Sequence, residues 1–281
     1  MPTIGEIKQE AFDSLIELYD EREAASITSI LLTETLGMSK EDVVNMSKQE
    51  ADKERYGLIK ERLHRLMENE PIQYIIGQVS FMNVELKVDA AVLIPRPETE
   101  ELVNWIVKDG ITPESVLDIG TGSGCIALAL KDAFVDAEVS AWDVSKAALD
   151  VAQGNARINV LDVRFEQKDI LSSNADGKKY DLIVSNPPYV LDADACLLAD
   201  NVVQYEPSEA LFIPDDDPLV FYRAIADFSF GSLKKNGRLF FEIDEKMGNA
   251  VLELLCSSGF NKVELRQDLS GKDRMVRATL Q

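Results

Sequence analysis

The 281-residue chain is poor in the residues that most often bring ready-made chemistry or covalent bracing. It has one histidine, His64, and three cysteines, Cys125, Cys196 and Cys256, which are widely spaced and never form a CxxC pair. That leaves no Cys/His zinc set, no histidine-based triad beyond His64 and no disulfide framework. Three lone thiols fit a reducing compartment. Positive charge is scarce as well: 29 Lys and Arg stand against 50 Asp and Glu, a net charge of -21. A protein that grips duplex DNA draws most of its affinity from counterion release along a basic stripe, and none is visible. No run approaches 18 uninterrupted apolar residues, and the opening MPTIGEIKQEAFDSLIELYD is acidic and amphipathic rather than a basic segment followed by an apolar one. The expectation is a cytoplasmic monomer with no membrane segment and no duplex DNA partner.

What is present is an ordinary globular composition, 46% hydrophobic and 28% charged. At about 150 residues per domain the length suggests two domains. From Ile4 to about Glu70 apolar residues recur at helical spacing, as in Phe12, Leu15, Ile16 and Tyr19, which predicts a small helical bundle over 1–72. Ser39 stands where it can cap a helix, and Glu70-Pro71 closes the last one. Over 73–93 the alternation and β-branched residues predict a two-stranded hairpin turning near Asn83, read as a linker.

Over 94–281 short apolar runs alternate with helical stretches, which predicts parallel βαβ units in a doubly wound, Rossmann-like α/β sheet. Strands are expected at Val116–Ile119, Glu138–Trp142, Val163–Phe165, Tyr180–Ser185, Gly237–Ile243, Phe260–Arg266 and Arg274–Thr279. The last two are too close for an intervening helix, so they should form a C-terminal antiparallel hairpin. Ligands of such sheets sit at the carboxyl ends of the strands.

The first of these strands runs into Gly120-Thr121-Gly122-Ser123-Gly124-Cys125. Glycines there let the backbone turn tightly against a ligand, and the following helix offers free N–H groups. The spacing is GxGxG, not the GxGxxG of dinucleotide sites, which favours another adenosine ligand. The next strand ends in Asp143, placed to accept from ribose hydroxyls. The third is followed by Asp169, which can accept from an adenine amino group, and Ile170, which can pack on the ring. Each alone is more often turn or cap chemistry; in succession they make a nucleoside cradle.

After the fourth strand comes Asn186-Pro187-Pro188-Tyr189. Two prolines remove backbone donors and stiffen the turn, so the Pro187 carbonyl can stand unpaired beside the Asn186 side-chain carbonyl. Two fixed acceptors and the Tyr189 face would form a slot for a planar NH2 group. Such a slot suits methyl transfer to a nitrogen whose lone pair is delocalised, because the acceptors also stabilise the charge that develops.

These residues, with Pro71-Ile72-Gln73-Tyr74-Ile75-Ile76-Gly77, Leu93-Ile94-Pro95-Arg96-Pro97-Glu98-Thr99-Glu100, Tyr205-Glu206-Pro207, Phe221-Tyr222-Arg223 and Asp268-Leu269-Ser270-Gly271-Lys272-Asp273-Arg274, resemble the HemK/PrmC release-factor glutamine methyltransferases. These are class I enzymes that use S-adenosylmethionine, and the resemblance covers most of the chain. It implies methyl transfer to the side-chain amide nitrogen of the glutamine in the Gly-Gly-Gln motif of peptide chain release factors. By position, Gly120–Gly124, Asp143, Asp169, Ile170 and Asn186 would hold the cofactor, and Asn186–Tyr189 the glutamine amide, with Asn186, Pro187 and Tyr189 catalytic. The helical part would dock the release factor, and Arg96 with Glu98–Glu100 would shape the cleft or form a salt-bridged loop.

NPPY is shared with adenine-N6 nucleic-acid methyltransferases, which is the alternative activity; a noncatalytic adapter is another. The chain departs from the family's pattern at Ile213-Pro214-Asp215-Asp216-Asp217-Pro218-Leu219 and at Asp244-Glu245-Lys246-Met247-Gly248-Asn249. The three consecutive aspartates read as a solvated turn before a helix, and no metal site is expected. His64 reads as a helix-surface residue.

Overall fold

The structure is a computed structural model that describes residues 1–175 and 177–281. The chain divides into two compact units. One comprises Met1–Gly77 with Asp200–Tyr205, the other Gln78–Ala199 with Glu206–Gln281.

The first unit is built from α1 (Ile4–Leu15), α2 (Glu21–Leu36), α3 (Lys40–Asn45), α4 (Lys53–Met67) and α5 (Ile72–Ile76). Their starts follow the local chemistry. Thr3 opens α1 with a capping box, accepting from the Glu6 amide at 3.2 Å while its own amide donates to Glu6 at 2.8 Å. Ser39 caps α3 as expected, in a second box with Asp42. The apolar stripes meet in one core that includes Ile7, Leu15, Leu31, Leu32 and Leu66. His64 lies exposed on α4, 3.6 Å from Glu68.

Helix α5 takes residues 73–76, expected in the hairpin linker. Ile72 and Ile75, three apart, are buried in the bundle core, and that burial outweighs the extended preference of their β-branched side chains. Gly77, at φ +79°, ends the helix in a backbone conformation that side chains rarely adopt.

The second unit begins with the hairpin β1 (Gln78–Phe81) and β2 (Val84–Lys87), whose turn is Met82-Asn83. Residues 73–93 thus divide between the units, since Phe81, Val84 and Leu86 belong to the core of the large sheet. There follow α6 (Pro97–Lys108), β3 (Ser115–Ile119), α7 (Cys125–Ala133), β4 (Glu138–Asp143), α8 (Lys146–Asn159), β5 (Val163–Gln167) and β6 (Tyr180–Ser185). A two-residue strand β7 (Val190–Leu191) and a 3-10 turn at Asp192–Leu197 lead to α9 (Asp200–Tyr205), the segment that belongs to the helical unit. There the Tyr205 hydroxyl donates to the Glu68 carbonyl at 2.8 Å. The chain continues through α10 (Ser208–Leu211), β8 (Phe212–Ile213), α11 (Val220–Ser232), β9 (Leu233–Glu242), α12 (Gly248–Ser257), β10 (Asn261–Gln267) and β11 (Asp273–Thr279).

Among the described residues seven strands form one sheet in the order β10-β11-β9-β6-β3-β4-β5. The five from β9 to β5 are parallel, and β11 and β10 add an antiparallel edge, so the doubly wound sheet with its terminal hairpin follows the sequence reading. Side chains alternate across it. On β3, Val116 faces the core shared with α6, α7 and the hairpin, while Leu117 and Ile119 face the core shared with α11 and α12. The Asp215-Asp216-Asp217 run is a turn ahead of α11, in which Asp217 takes a two-pronged hydrogen bond from Arg223 and Asp215 accepts from the Ala193 amide. No described helix is long and apolar enough to cross a membrane.

Candidate active site

Strand β3 has β4 on one side and β6 on the other, so the crossovers leave in opposite directions and open a crevice at its carboxyl end. The glycine loop sits there. Gly120, Gly122 and Gly124 have φ of +74°, +53° and +84°. A Cβ at Gly122 would meet nothing within 4 Å, so glycine is needed there for conformation and to keep the wall open. At Gly124 a Cβ would come within 3.2 Å of Ala152 Cβ, so that glycine lets α7 approach α8. The loop is held from beneath: the Gly120 and Thr121 amides both donate to the Trp142 carbonyl at 2.9 Å. Buried Asp118 accepts from the Thr121 hydroxyl at 2.6 Å. Burial pushes the Asp118 carboxyl up to about 7. It likewise pushes the Cys125 thiol up to about 12, which makes that cysteine an inert part of the wall.

Asp143 closes the loop from the next strand. One carboxylate oxygen accepts from the Gly122 amide at 2.8 Å and the other from the Ser145 amide at 2.9 Å. Each oxygen keeps a second lone pair for a ligand. Burial raises its pKa, opposed by these backbone donors. Beyond it, Asp169 folds back to accept from the Leu171 amide at 2.8 Å, Ile170 is 9% exposed, and the Lys168 ammonium lies 3.9 Å from the Trp142 ring centre. Gly120, Thr121, Gly122, Ser123, Asp143, Asp169 and Ile170 line one cleft together with Asn186, Pro187 and Pro188. Gly124 stands behind the wall.

At the other end of the cleft the Asn186 amide nitrogen donates to the Thr99 hydroxyl at 3.4 Å, and Thr99 donates to Glu242 at 2.7 Å. Among the described residues no donor is paired with the Asn186 carboxamide oxygen or with the Pro187 carbonyl. Tyr189 is not brought into the wall. Its ring packs against the apolar cluster that includes Tyr222 and Phe241, where burial raises its pKa far above the ordinary range of tyrosine. Arg96 does line the cleft, in an ion pair with Glu206, which also accepts from the Ile94 amide at 3.1 Å. Glu100 instead accepts from the Met82 amide at 2.8 Å and so anchors the hairpin turn.

Comparison with known proteins places the chain in a family. The family model for the PrmC N-terminal domain matches residues 6–77, and that for the methyltransferase small domain matches residues 97–205. The release factor glutamine methyltransferase of Flavobacterium psychrophilum is 40% identical over 269 residues, covering 94% of each chain. That of Bacteroides thetaiotaomicron is also 40% identical over 269 residues, 94% of this chain and 96% of the relative. The chain belongs to the release factor glutamine methyltransferase family. A methyltransferase from Pyrococcus furiosus, 18% identical, superposes with a TM-score of 0.52 over 78% of this chain and 98% of its own, and shows the shared fold.

For this family member, Glu242 and Asn155 escaped a reading by motif, and Thr99, inside the run Glu98–Glu100 expected to shape the cleft, is read there without its partners. Thr99 and Glu242 sit under Asn186. Asn155, fully buried on α8, donates to the Ser123 carbonyl at 2.9 Å and to the Lys87 carbonyl at 3.0 Å, and accepts from the Lys87 amide at 2.7 Å. It ties the glycine loop to β2. A signal for Thr99 lay within the quoted run Pro97-Glu98-Thr99-Glu100, although nothing there indicates its partner.

Proposed function

We propose that this chain transfers a methyl group from S-adenosylmethionine to the side-chain amide nitrogen of the Gly-Gly-Gln glutamine of peptide chain release factors. The observation that carries the reading is the pair of unengaged oxygens, on Asn186 and Pro187, at the end of a cleft whose other wall suits an adenosine ligand.

The residues fit that cofactor. Gly120 and Gly122 leave open wall where an ordinary side chain would intrude, Asp143 and Asp169 offer carboxylate lone pairs for hydroxyl and amino donors, and Ile170 offers an apolar face. When bound, S-adenosylmethionine supplies an electrophilic methyl group on a positively charged sulfur. The chain's own task is to present a poor nucleophile. An amide nitrogen shares its lone pair with its carbonyl, so it reacts only if held in position and if the growing positive charge is met by acceptors. Asn186 Oδ1 and the Pro187 carbonyl each accept a hydrogen bond from one amide hydrogen, and once the methyl group is on nitrogen one of the two protons is lost to water, leaving the neutral N-methyl amide. Pro187 and Pro188 keep the turn rigid. A strong base is not needed, in keeping with a site that contains no histidine.

On this reading the enzyme works in the cytoplasm as a monomer, the helical unit docks the release factor, and a net charge of -21 disfavours duplex DNA. The test is mass spectrometry of a release factor before and after incubation with enzyme and cofactor. One added methyl on the Gly-Gly-Gln glutamine is expected. Labelling that persists when that glutamine is replaced would refute the substrate assignment.

A further inference from the structure

Strand β9 alternates Phe240, toward α6, with Phe241, toward the opposite core; Glu242 therefore returns to the α6 face. Phe240 meets Trp105 of α6 edge-on with ring centres 5.2 Å apart, while the charges of Arg274, Glu98 and Arg96 also act on the Glu242 carboxyl. A carboxylate 1% exposed is costly unless it is hydrogen-bonded or paired, and Glu242 accepts from the Thr99 hydroxyl at 2.7 Å. The register pairs Ser185 of β6 with Phe241 of β9, which sets Asn186 and Glu242 side by side just past the last registered pair. Thr99, 2% exposed in the first turn of α6, bridges them.

We propose that Thr99 and Glu242 are positioning residues for the reaction, acting through Asn186. The Thr99 hydroxyl has one proton, and Glu242 takes it at 2.7 Å. Thr99 then presents only lone pairs to Asn186, so the Asn186 carboxamide turns its NH2 inward, at 3.4 Å, and its oxygen is left for the substrate amide. Without this relay the carboxamide could rotate by half a turn and offer the substrate donors where acceptors are required. Neither Thr99 nor Glu242 needs to touch the reacting atoms. The inference rests on the reading of Asn186 as the amide acceptor.

Steady-state methylation of a release factor, with calorimetric cofactor binding, tests the relay in Thr99→Val, Thr99→Ser, Asn186→Ala and the double variant Asn186→Ala/Thr99→Val. Thr99→Val should lower kcat about 10- to 100-fold, the scale of a misplaced reacting group, while cofactor Kd stays within about twofold. Thr99→Ser should stay within about threefold of the parent, and Thr99→Val should add less than about threefold to the loss in Asn186→Ala. Full activity in Thr99→Val, equal losses in the serine and valine variants, or losses that multiply in the double variant would each overturn the relay. A second measurement does not depend on turnover. The Asn186 side-chain NH2 signals in a 15N NMR spectrum, identified by their absence from Asn186→Ala, should move in Glu242→Gln; unmoved signals overturn the relay even if Thr99→Val is too unstable to assay. If the parent enzyme leaves the release factor unmethylated, the substrate assignment fails, whereas the NMR result still decides the relay.

Discussion

Replacing Asn155 with alanine should damage the second unit far more than the same change at Asn159, one helical turn on. Both asparagines clasp β2 in the same manner: Asn159 accepts from the Glu85 amide at 3.0 Å and donates to its carbonyl at 2.7 Å, in exposed positions. Only Asn155 also reaches the buried Ser123 carbonyl. Its loss strands that carbonyl away from water at about 1–3 kcal/mol, and strands the half-buried Lys87 amide and carbonyl at about 0.5–1.5 kcal/mol each, a total of about 4 kcal/mol. Water can replace the Asn159 contacts, so its loss should stay below about 1 kcal/mol. Both tryptophans, Trp105 and Trp142, lie in the second unit, so their fluorescence in a urea titration follows that unit alone. With a slope of about 3 kcal/mol per molar, the midpoint of Asn155→Ala should fall by about 1 M and that of Asn159→Ala by about 0.3 M or less. Cofactor affinity should weaken only in Asn155→Ala, because only there is the glycine loop released. Equal midpoints in the two variants would refute the argument that burial of the Ser123 contact sets the cost.

Other outcomes follow from the site. Asn186→Ala should raise the barrier to turnover by about 2–4 kcal/mol with a much smaller change in calorimetric cofactor affinity, since on the proposed reading it removes an acceptor aimed at developing charge; an undiminished kcat would remove Asn186 from catalysis. Asp143→Ala should act chiefly on cofactor affinity, because it strands the Gly122 and Ser145 amides as well as removing ligand acceptors, and a titration with unchanged Kd would contradict this. Asp118 has its pKa raised in the fold from 3.8 to about 7, so between those values the folded chain keeps a proton that the unfolded chain has lost. Its contribution to stability is complete below pH 3.8 and is lost as pH rises through about 7, at about 1.4 kcal/mol per pH unit. Asp118→Asn, which cannot titrate, should therefore gain about 2 kcal/mol on the parent between pH 5 and 7 in denaturation midpoints, whereas parallel curves would show that Asp118 is already ionised.

Much of this was legible in the chain because the deciding signals are local. The strand Tyr180–Ser185 is announced by its own apolar run, the glycine loop by its three glycines, and the terminal hairpin by the short spacing between Phe260–Arg266 and Arg274–Thr279. What stayed hidden depends on partners far apart in sequence. Thr99 lies 87 residues from Asn186 and 143 from Glu242, and no periodicity encodes that meeting. Asn155 reads as one more polar residue on α8 until the packing sets it against Lys87 and Ser123. Five-residue α5 is too short for a helical period to declare itself, and its isoleucines argue locally for strand. Tyr189 follows the prolines as a motif suggests, but the motif does not specify which way the ring turns; the apolar cluster beneath the sheet takes it.

The six residues of α9 carry a practical consequence for anyone recombining members of this family. A helical unit cut out as 1–77 would leave behind Asp200–Tyr205, including the tyrosine that caps the Glu68 carbonyl. Chimeras should accordingly be made as two-segment grafts, with the hexapeptide travelling alongside the amino-terminal piece.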